Sequence, residues 1–266
     1  MVRLVGLRKS FRLPDGNEHI IVDDISLDVP RGTFTSIVGT SGCGKSTLLS
    51  MISGLTDTTA GDITIDGRRV LGIQRGIGFL FQHDALLPWR TVWDNVALGL
   101  ILQRYPREEI TRRVTEWIAR VGLRGFERHY PAQLSGGMRK RAGLAQMMVY
   151  SPDLILMDEP FAALDAQTRV LMEADLLRIV EQSGEKTVLF VTHDLEEAVS
   201  LSDRVVLMTA GPAARIKAAY DVDLPRPRDV LTVRQEPHFG ELYTLIWQGL
   251  REEAGRTFDQ PIDYTI

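Results

Sequence analysis

The chain has 266 residues, of which 44% are hydrophobic and 25% charged, a composition that is ordinary for a globular protein. The formal net charge of -4 argues against a nucleic-acid-binding protein, which would normally carry a basic face. No apolar run approaches the roughly 18–20 residues that cross a bilayer, and the N-terminus lacks the apolar core of a secretory signal. The single cysteine, Cys43, excludes an intramolecular disulfide and indicates a reducing compartment.

Residues 2–38 are predicted to form β structure. Residues 20–29 partly alternate between apolar and polar side chains, as a half-buried strand does, and Pro- and Gly-containing turns are predicted at 14–17 and 30–32. A short β-branched strand is predicted at 34–38.

A glycine-rich segment follows this strand and precedes an apolar helix. Its residues match G-x-x-x-x-G-K-[ST] and are Gly39, Thr40, Ser41, Gly42, Cys43, Gly44, Lys45, Ser46 and Thr47. Glycines allow the backbone to approach an anion, and the N–H groups at the start of the helix then point at it. The Lys45 ammonium adds a mobile charge, and the Ser46 hydroxyl can bind Mg²⁺. The strand–loop–helix order therefore predicts a site for nucleotide phosphates.

Two other residues have alternative interpretations in this context. Phe11 either stacks on the adenine ring of the nucleotide or packs in the core. Cys43 is interpreted as a small residue that fits the phosphate loop, with a redox role as the alternative.

After the phosphate loop, residues 61–67 predict a hairpin strand, and residues 76–81 predict another strand. Gln82 follows the second strand at the position where α/β sheets bind ligands, so its amide can reach Mg²⁺ or the attacking water. The next apolar segment is either core packing or a docking surface, and its residues are Leu86, Leu87, Pro88 and Trp89.

Between residues 91 and 150 the pattern becomes helical. Thr91 is predicted to cap one helix, and residues 107–121 carry an apolar stripe on a second. A third helix follows Ser135, Gly136, Gly137 and Met138, where the two glycines after a serine suit a second anion-binding helix N-terminus. The segment is interpreted as an all-helical insertion in an α/β domain.

Buried strands are predicted at 154–157, 187–191 and 205–208. Asp158 ends the first of them at the position that holds Mg²⁺, and Glu159 can deprotonate water. Asp165 precedes a helix predicted at 167–182, and His193 follows the second strand, where it can contact a γ-phosphate. Near the C-terminus, residues 239–253 predict an amphipathic helix.

Taken together, these residues resemble the ATP-binding subunits of ABC transporters over about residues 2–230. The corresponding motifs are the Walker A loop at 39–47, the Q-loop at Gln82, the signature at 134–138, the Walker B strand at 154–159, the D-loop at 163–165 and the H-loop at His193. The resemblance implies a RecA-like P-loop NTPase core of the α/β class at 1–90 and 151–225, with an N-terminal antiparallel β subdomain. It also implies an all-helical subdomain at about 91–150 and a C-terminal helical extension at 226–266.

The resemblance further implies a mechanism. Two copies would enclose two ATP molecules, with Ser135, Gly136 and Gly137 of one copy capping the γ-phosphate held by Lys45 of the other. Glu159 would activate water, and His193 would position the γ-phosphate. Mg²⁺ would be served by Ser46, Gln82 and Asp158. Met138 replaces the usual Gln of the signature and Phe11 replaces the usual Tyr, and neither change removes a phosphate contact or the stacking face.

Within the family, the segments 86–89, 94–96 and 224–228 resemble those of importers of nitrate, sulfonates and taurine. This resemblance implies an integral membrane permease gripped by Leu86–Trp89 and an extracytoplasmic substrate-binding protein. The chain is accordingly expected at the cytoplasmic face of the inner membrane, as a peripheral subunit. Import of a riboflavin, a thiamine precursor or bicarbonate remains an alternative.

Other classes explain the sequence less well. ABC ATPases of DNA repair or the ribosome usually carry two cassettes or a coiled-coil insertion. A kinase would leave Ser135–Gly137 without a role, and a non-enzymatic scaffold would not need Glu159 and His193.

Overall fold

The computed structural model describes residues 1–83 and 85–258, so the last eight residues of the predicted C-terminal extension, 259–266, lie outside the described residues. The chain divides into two compact units. One unit comprises Met1–Arg75 and the chain from Thr187 onward, and the other comprises Gly76–Lys186. The predicted helical subdomain at 91–150 lies within the second unit.

Strands and helices alternate between Leu154 and Met208, as is typical of an α/β protein. The strands are β1 (Val2–Arg12), β2 (Glu18–Val29), β3 (Phe34–Val38), β4 (Ala60–Ile65), β5 (Arg68–Arg69), β6 (Ile77–Leu80), β7 (Leu154–Asp158), β8 (Thr187–Val191), β9 (Arg204–Met208) and β10 (Ile216–Asp221). The helices are α1 (Lys45–Ser53), α2 (Val92–Leu102), α3 (Arg107–Arg120), α4 (Gly136–Met148), α5 (Ala166–Gln182), α6 (Leu195–Leu201), α7 (Val230–Val233) and α8 (Pro237–Phe258).

The first unit contains two groups of strands. An antiparallel sheet has the order β2-β1-β4-β5. In the second group β3 pairs in parallel with β8 and β9, and β10 pairs antiparallel with β9. All residues of β3 and β8 are buried, as is typical of parallel strands covered on both faces. Because β3 and β8 are parallel, the phosphate loop and His193 leave the sheet at the same edge.

Helix α8 is part of the core of the first unit. Its buried residues Leu242 and Ile246 pack in one cluster with Val38 of β3, Leu207 of β9 and Leu195 of α6. The predicted amphipathic helix is therefore confirmed, but it begins at Pro237 and ends at Phe258, so it is longer at both ends than the predicted 239–253.

In the second unit, β6 and β7 form a parallel pair, and α2 packs against α3 and α4. Buried Asn95 of α2 ties down the preceding loop, because its amide donates to the main-chain oxygens of Leu87, Arg90 and Thr91 and its oxygen accepts from the N–H of Leu87. The predicted cap is also confirmed, since Thr91 accepts from the N–H of Asp94 at 3.1 Å.

Three elements have no counterpart in the sequence prediction, namely α6, α7 and β10. Strand β10 is half-buried and lacks apolar alternation, and its only strand partner in the described chain is β9. Among the described residues, no helix combines the length and apolar character needed to cross a membrane.

Candidate functional site

The phosphate loop connects β3 to α1, and its conformation requires glycine at two positions. Gly44 has a φ of 95°, and a Cβ there would lie 2.7 Å from Cγ1 of Val22. A Cβ on Gly39 would lie 2.9 Å from Sγ of Cys43. Both distances are shorter than any stable contact, so the backbone is packed where only glycine fits. Cys43 is fully buried beneath the loop, which supports its interpretation as a small packing residue.

The loop also presents groups that suit an anion. Gly44 is the N-cap of α1 and supplies no side-chain acceptor to the first turn, and the N-terminus of a helix favours an anion. Lys45 is 5% exposed, and its ammonium donates to the main-chain oxygens of Gly39 at 2.9 Å and Thr40 at 3.0 Å. A cation held against the loop backbone in this way suits the phosphates of a nucleotide.

The structure brings His193 to the phosphate loop. The first three loop residues and His193 line one cavity of about 550 Å³, whose remaining wall comes from α8; the lining residues are Gly39, Thr40, Ser41, His193, Trp247, Leu250, Arg251 and Ala254. His193 is exposed and immediately precedes Asp194, the N-cap of α6. Ser46 and Thr47 lie in the first turn of α1, and Ser46 is exposed.

Phe11 lies in β1 of the same unit. Its side chain is 50% exposed, and Nζ of Lys9 lies 4.8 Å from its ring centroid. The interpretation of Phe11 as a core residue is therefore wrong. Its stacking on adenine stays a prediction, which the exposure of the ring permits.

Gln82, Asp158 and Glu159 lie in the second unit. Asp158 is the last residue of β7 and is 9% exposed, and Gln82 follows the parallel neighbour β6 and is exposed. Glu159 has a φ of 42°, an uncommon conformation for a residue with a side chain. The main-chain oxygen of Gln82 accepts a hydrogen bond of 2.6 Å from Nζ of Lys140 in α4.

The signature segment forms the N-terminus of α4. Ser135 is the N-cap, is exposed, and accepts a hydrogen bond from the N–H of Met138 at 3.3 Å. Gly136, Gly137 and Met138 are partly exposed. A Cβ on Gly137 would lie 2.8 Å from Cγ2 of Thr168 in α5, so glycine is needed where the two helices meet.

Asp165 lies beside this segment, as the N-cap of α5. Its carboxylate accepts from the N–H of Thr168 at 3.0 Å, and this hydrogen bond lowers the pKa of Asp165 below its ordinary value of 3.8. The structure therefore places the D-loop residue and the signature segment together.

The apolar segment 86–89 divides between the two roles proposed for it. Leu86 is 8% exposed and lines a cavity of about 300 Å³ with Phe81, Leu98, Leu102 and Tyr150, among others. Pro88 is exposed, and Trp89 is 71% exposed. Leu87 is partly exposed. Leu86 is thus a packing residue at the wall of a groove, and Trp89 is available to a partner.

Sequence reasoning missed three groups of this site. Lys140 lies in the basic sequence Arg139–Arg141, yet it is 5% exposed and donates to the main-chain oxygens of Phe81 and Gln82. Glu253 and the pocket-facing residues of α8 carry no motif. The amphipathic pattern of α8 predicts that the helix packs against the core. It does not indicate that the helix lies next to the phosphate loop.

Within residues 1–83 and 85–258, no three His, Cys, Asp or Glu side chains cluster in a way that would hold a metal ion. The hydroxyl of Ser46 in the first unit, and the amide oxygen of Gln82 and the carboxylate of Asp158 in the second, are each oxygen groups of the kind that Mg²⁺ prefers.

The chain is similar in sequence to ATP-binding proteins of ABC transporters. The sequence model of a family described as ABC transporter matches residues 22–162. An uncharacterized ABC transporter ATP-binding protein of Methanocaldococcus jannaschii is 47% identical over 228 residues, covering 86% of this chain and 84% of the relative. An aliphatic sulfonates import ATP-binding protein of Bacillus cereus is 43% identical and is covered over 81% of its length, against 78% of this chain.

A nitrate import ATP-binding protein of Synechococcus elongatus is 44% identical over 87% of this chain, which spans only 35% of that relative. Among solved structures, a dimeric ATP-binding cassette in a post-hydrolysis state with ADP and Pi has a TM-score of 0.74 and 29% identity. The match covers 85% of this chain and 100% of that structure.

Proposed function

Because the chain belongs to the ABC transporter family, as an ATP-binding subunit that hydrolyses ATP, we propose that it powers the import of a small solute through a separate membrane permease. The relatives named for nitrate and aliphatic sulfonates support a small oxyanion or sulfonate as the solute. The chain would act at the cytoplasmic face of the inner membrane, as a peripheral subunit, together with an extracytoplasmic substrate-binding protein.

In this proposal the phosphate loop binds ATP. Lys45 transfers its hydrogen bonds from the main-chain oxygens of Gly39 and Thr40 to phosphate oxygens, while the N–H groups at the start of α1 bind the remaining charge. Phe11 stacks on the adenine. Mg²⁺, held by Ser46, Gln82 and Asp158, would neutralise charge on the phosphates.

Hydrolysis is assigned to two further side chains. The carboxylate of Glu159 accepts a proton from the attacking water, and His193 orients the γ-phosphate. The contact of His193 with the cavity at Gly39–Ser41 supports this role. The position of Glu159 directly after Asp158, at the end of β7, supports its role as the base.

The observation that carries the proposal is the exposed N-terminus of α4. Ser135, Gly136 and Gly137 offer a second set of helix N–H groups for an anion, and a single-site kinase would have no use for them. We infer that two copies of the chain pair so that the signature segment of each caps the γ-phosphate bound by the other. The dimeric form of the similar ATP-binding cassette supports this assembly.

The groove of the second unit is the proposed permease site. Apolar side chains at its rim are exposed to solvent, since Leu102 is 73% exposed and Phe81 is 39% exposed. Trp89 adds a large exposed ring near Leu86 in sequence. Such a groove suits an apolar helix of a partner protein.

Affinity purification from gently solubilised membranes tests this function. We expect the tagged chain to co-purify with an integral membrane permease, and the associated binding protein to be stabilised by nitrate or a sulfonate in a thermal-shift screen. Leu102→Asp should abolish the association. Leu171→Asp is the control, because Leu171 lies in α5 outside the groove and is 61% exposed. This variant should retain the association. Recovery with ribosomes or DNA, or from the cytosol alone, would contradict the proposal.

A further inference from the structure

Helix α8 makes an unexpected contact with the segment that supports the phosphate loop. Glu253 of α8 is only 1% exposed, and its carboxylate accepts a hydrogen bond of 3.0 Å from the main-chain N–H of Ala210. A carboxylate buried to this degree is costly unless it is paired and hydrogen-bonded. Nζ of Lys217 in β10 lies 2.9 Å from its other oxygen and supplies the pairing charge.

Ala210 belongs to the turn between β9 and β10, and this turn lies against the phosphate loop. A Cβ on Gly211 would lie 3.3 Å from the main-chain oxygen of Gly42 and 3.5 Å from Cα of Cys43. At the other end of the loop, a Cβ on Gly39 would lie 3.3 Å from Cβ of Met208. The segment 208–211 therefore packs directly against the backbone of the phosphate loop.

The position of α8 over this segment is also fixed by close packing. A Cβ on Gly249 would lie 2.7 Å from Cδ2 of Leu207, and the main-chain oxygen of Gly249 accepts from Nζ of Lys217 at 3.0 Å. On either side of Gly249 along the helix, Trp247, Leu250 and Arg251 line the cavity that Gly39–Ser41 and His193 also line. Helix α8 thus contacts the segment 208–211 that packs against the phosphate loop, and it also forms a wall of the cavity that the loop lines.

We propose that α8 is a working part of the ATP site, in which Glu253 is a positioning residue that sets the phosphate loop through Ala210 and Gly211. Loss of its carboxylate frees the N–H of Ala210, and the turn shifts against Gly42 and Cys43. A displaced loop no longer directs its N–H groups at the phosphates, so ATP binds more weakly. The inference depends on ATP binding alone and is independent of the transported solute and of the permease.

The chain provides a matched control for this residue. Glu252 pairs with the same lysine, at 2.7 Å from Nζ of Lys217, but its side chain is 67% exposed, whereas that of Glu253 is buried. Glu252→Ala removes a carboxylate from the same helix and the same cation. It should therefore leave the phosphate loop unchanged.

The test is a titration of the full chain with Mg²⁺ and ATP by calorimetry, with ATPase kinetics and thermal unfolding on the same variants. We expect Glu253→Ala to raise the dissociation constant for ATP about 10-fold while turnover at saturating ATP falls by less than about 3-fold. Glu253→Gln keeps an oxygen for the N–H of Ala210, so it should restore the affinity to within about 3-fold of the original. Glu252→Ala should change the affinity by less than about 2-fold.

A double-mutant cycle identifies the route. Gly211→Ala places a methyl group against Gly42, and it should weaken ATP binding less in the Glu253→Ala chain than in the original, because both changes act on the same turn. Additive effects would contradict the route through Ala210 and Gly211. A Glu253→Ala chain that melts earlier but binds ATP with unchanged affinity would overturn the proposal.

Discussion

The two helix N-termini assigned to phosphate binding are built in opposite ways. The N-terminus of α1 is capped by Gly44 with no side-chain acceptor, and the Lys45 ammonium is 5% exposed and bonded to the loop's own carbonyls. The N-terminus of α4 is capped by the exposed hydroxyl of Ser135. We propose that the first is a cradle that one chain completes by itself, and that the second binds phosphate only when another copy presents it.

This difference assigns separate tasks to the two segments. The phosphate loop should determine whether ATP binds to a single copy, and the signature segment should determine whether two copies associate once ATP is bound. Substitutions in the two segments should therefore affect different measurements.

The largest effect is expected from Glu159→Gln, which removes the proposed base and touches neither helix N-terminus. Turnover should fall by about 10²–10⁴-fold, because general-base catalysis contributes that much. The affinity for ATP should change by less than about 2-fold. Steady-state ATPase kinetics and calorimetry measure the two quantities, and near-normal turnover would remove Glu159 from the mechanism.

The next effect concerns the cradle. Gly44→Ala combines a φ of 95° with a Cβ 2.7 Å from Val22, so we expect a loss of about 2–4 kcal/mol in stability and at least a 10-fold loss of ATP affinity. Gly42→Ala is the control, because its φ is 78° but its Cβ meets nothing within 4 Å. It should cost only about 1–2 kcal/mol. Chemical denaturation and ATP titration compare the two variants, and equal losses would show that packing against Val22 is unimportant.

A smaller effect is expected at the N-terminus of α4. Ser135→Ala removes the cap of α4 and should cost about 1 kcal/mol in stability, while ATP binding by a single copy is retained and ATP-dependent association is weakened. Thr91→Ala removes the equivalent cap of α2 and should cost a similar amount without affecting association. If both variants associate equally well with ATP, the signature segment does not contact the phosphate of a second copy.

The smallest effect is a pH dependence at α5, the helix next to the signature segment. The N–H of Thr168 lowers the pKa of Asp165 in the folded chain, so the charged cap adds stability above the ordinary value of 3.8, and this contribution is lost as the pH falls through the lower folded-state pKa. Asp165→Asn keeps the cap without the charge. Acid titration of unfolding should show a slightly flatter stability profile below pH 3.8 for this variant, and identical profiles would contradict the assignment.

The same contrast explains what the sequence could predict. The cradle was predictable because its conformation depends on local backbone chemistry, with glycines and Lys45 at fixed spacing between a strand and a helix. The cap of α4 was predictable for the same reason. The sequence also predicted that residues which directly follow parallel strands, such as His193 after β8, lie at one edge of the sheet.

The remaining features depend on contacts between distant residues. Glu253 lies in a run of charged residues that predicts a solvated face, yet it bonds to Ala210, 43 positions earlier. Lys140 likewise looks like part of a basic surface but is buried against Gln82. Strand β10 was missed because its residues are partly exposed and do not alternate. Whether such a residue is buried depends on the surface that packs against it, and the local sequence pattern gives no information about that surface.

The most direct test of the account is the mass of the Glu159→Gln chain in solution, measured by light scattering with and without ATP and Mg²⁺. Because we expect this variant to bind ATP with little hydrolysis, it should have twice the mass of one chain with ATP and the mass of a single chain without it. Adding Ser135→Ala should reduce the ATP-bound dimer. A single-chain mass at saturating ATP, with ATP binding demonstrated in the same sample, would contradict the claim that the cradle of one copy and the signature segment of another share the nucleotide.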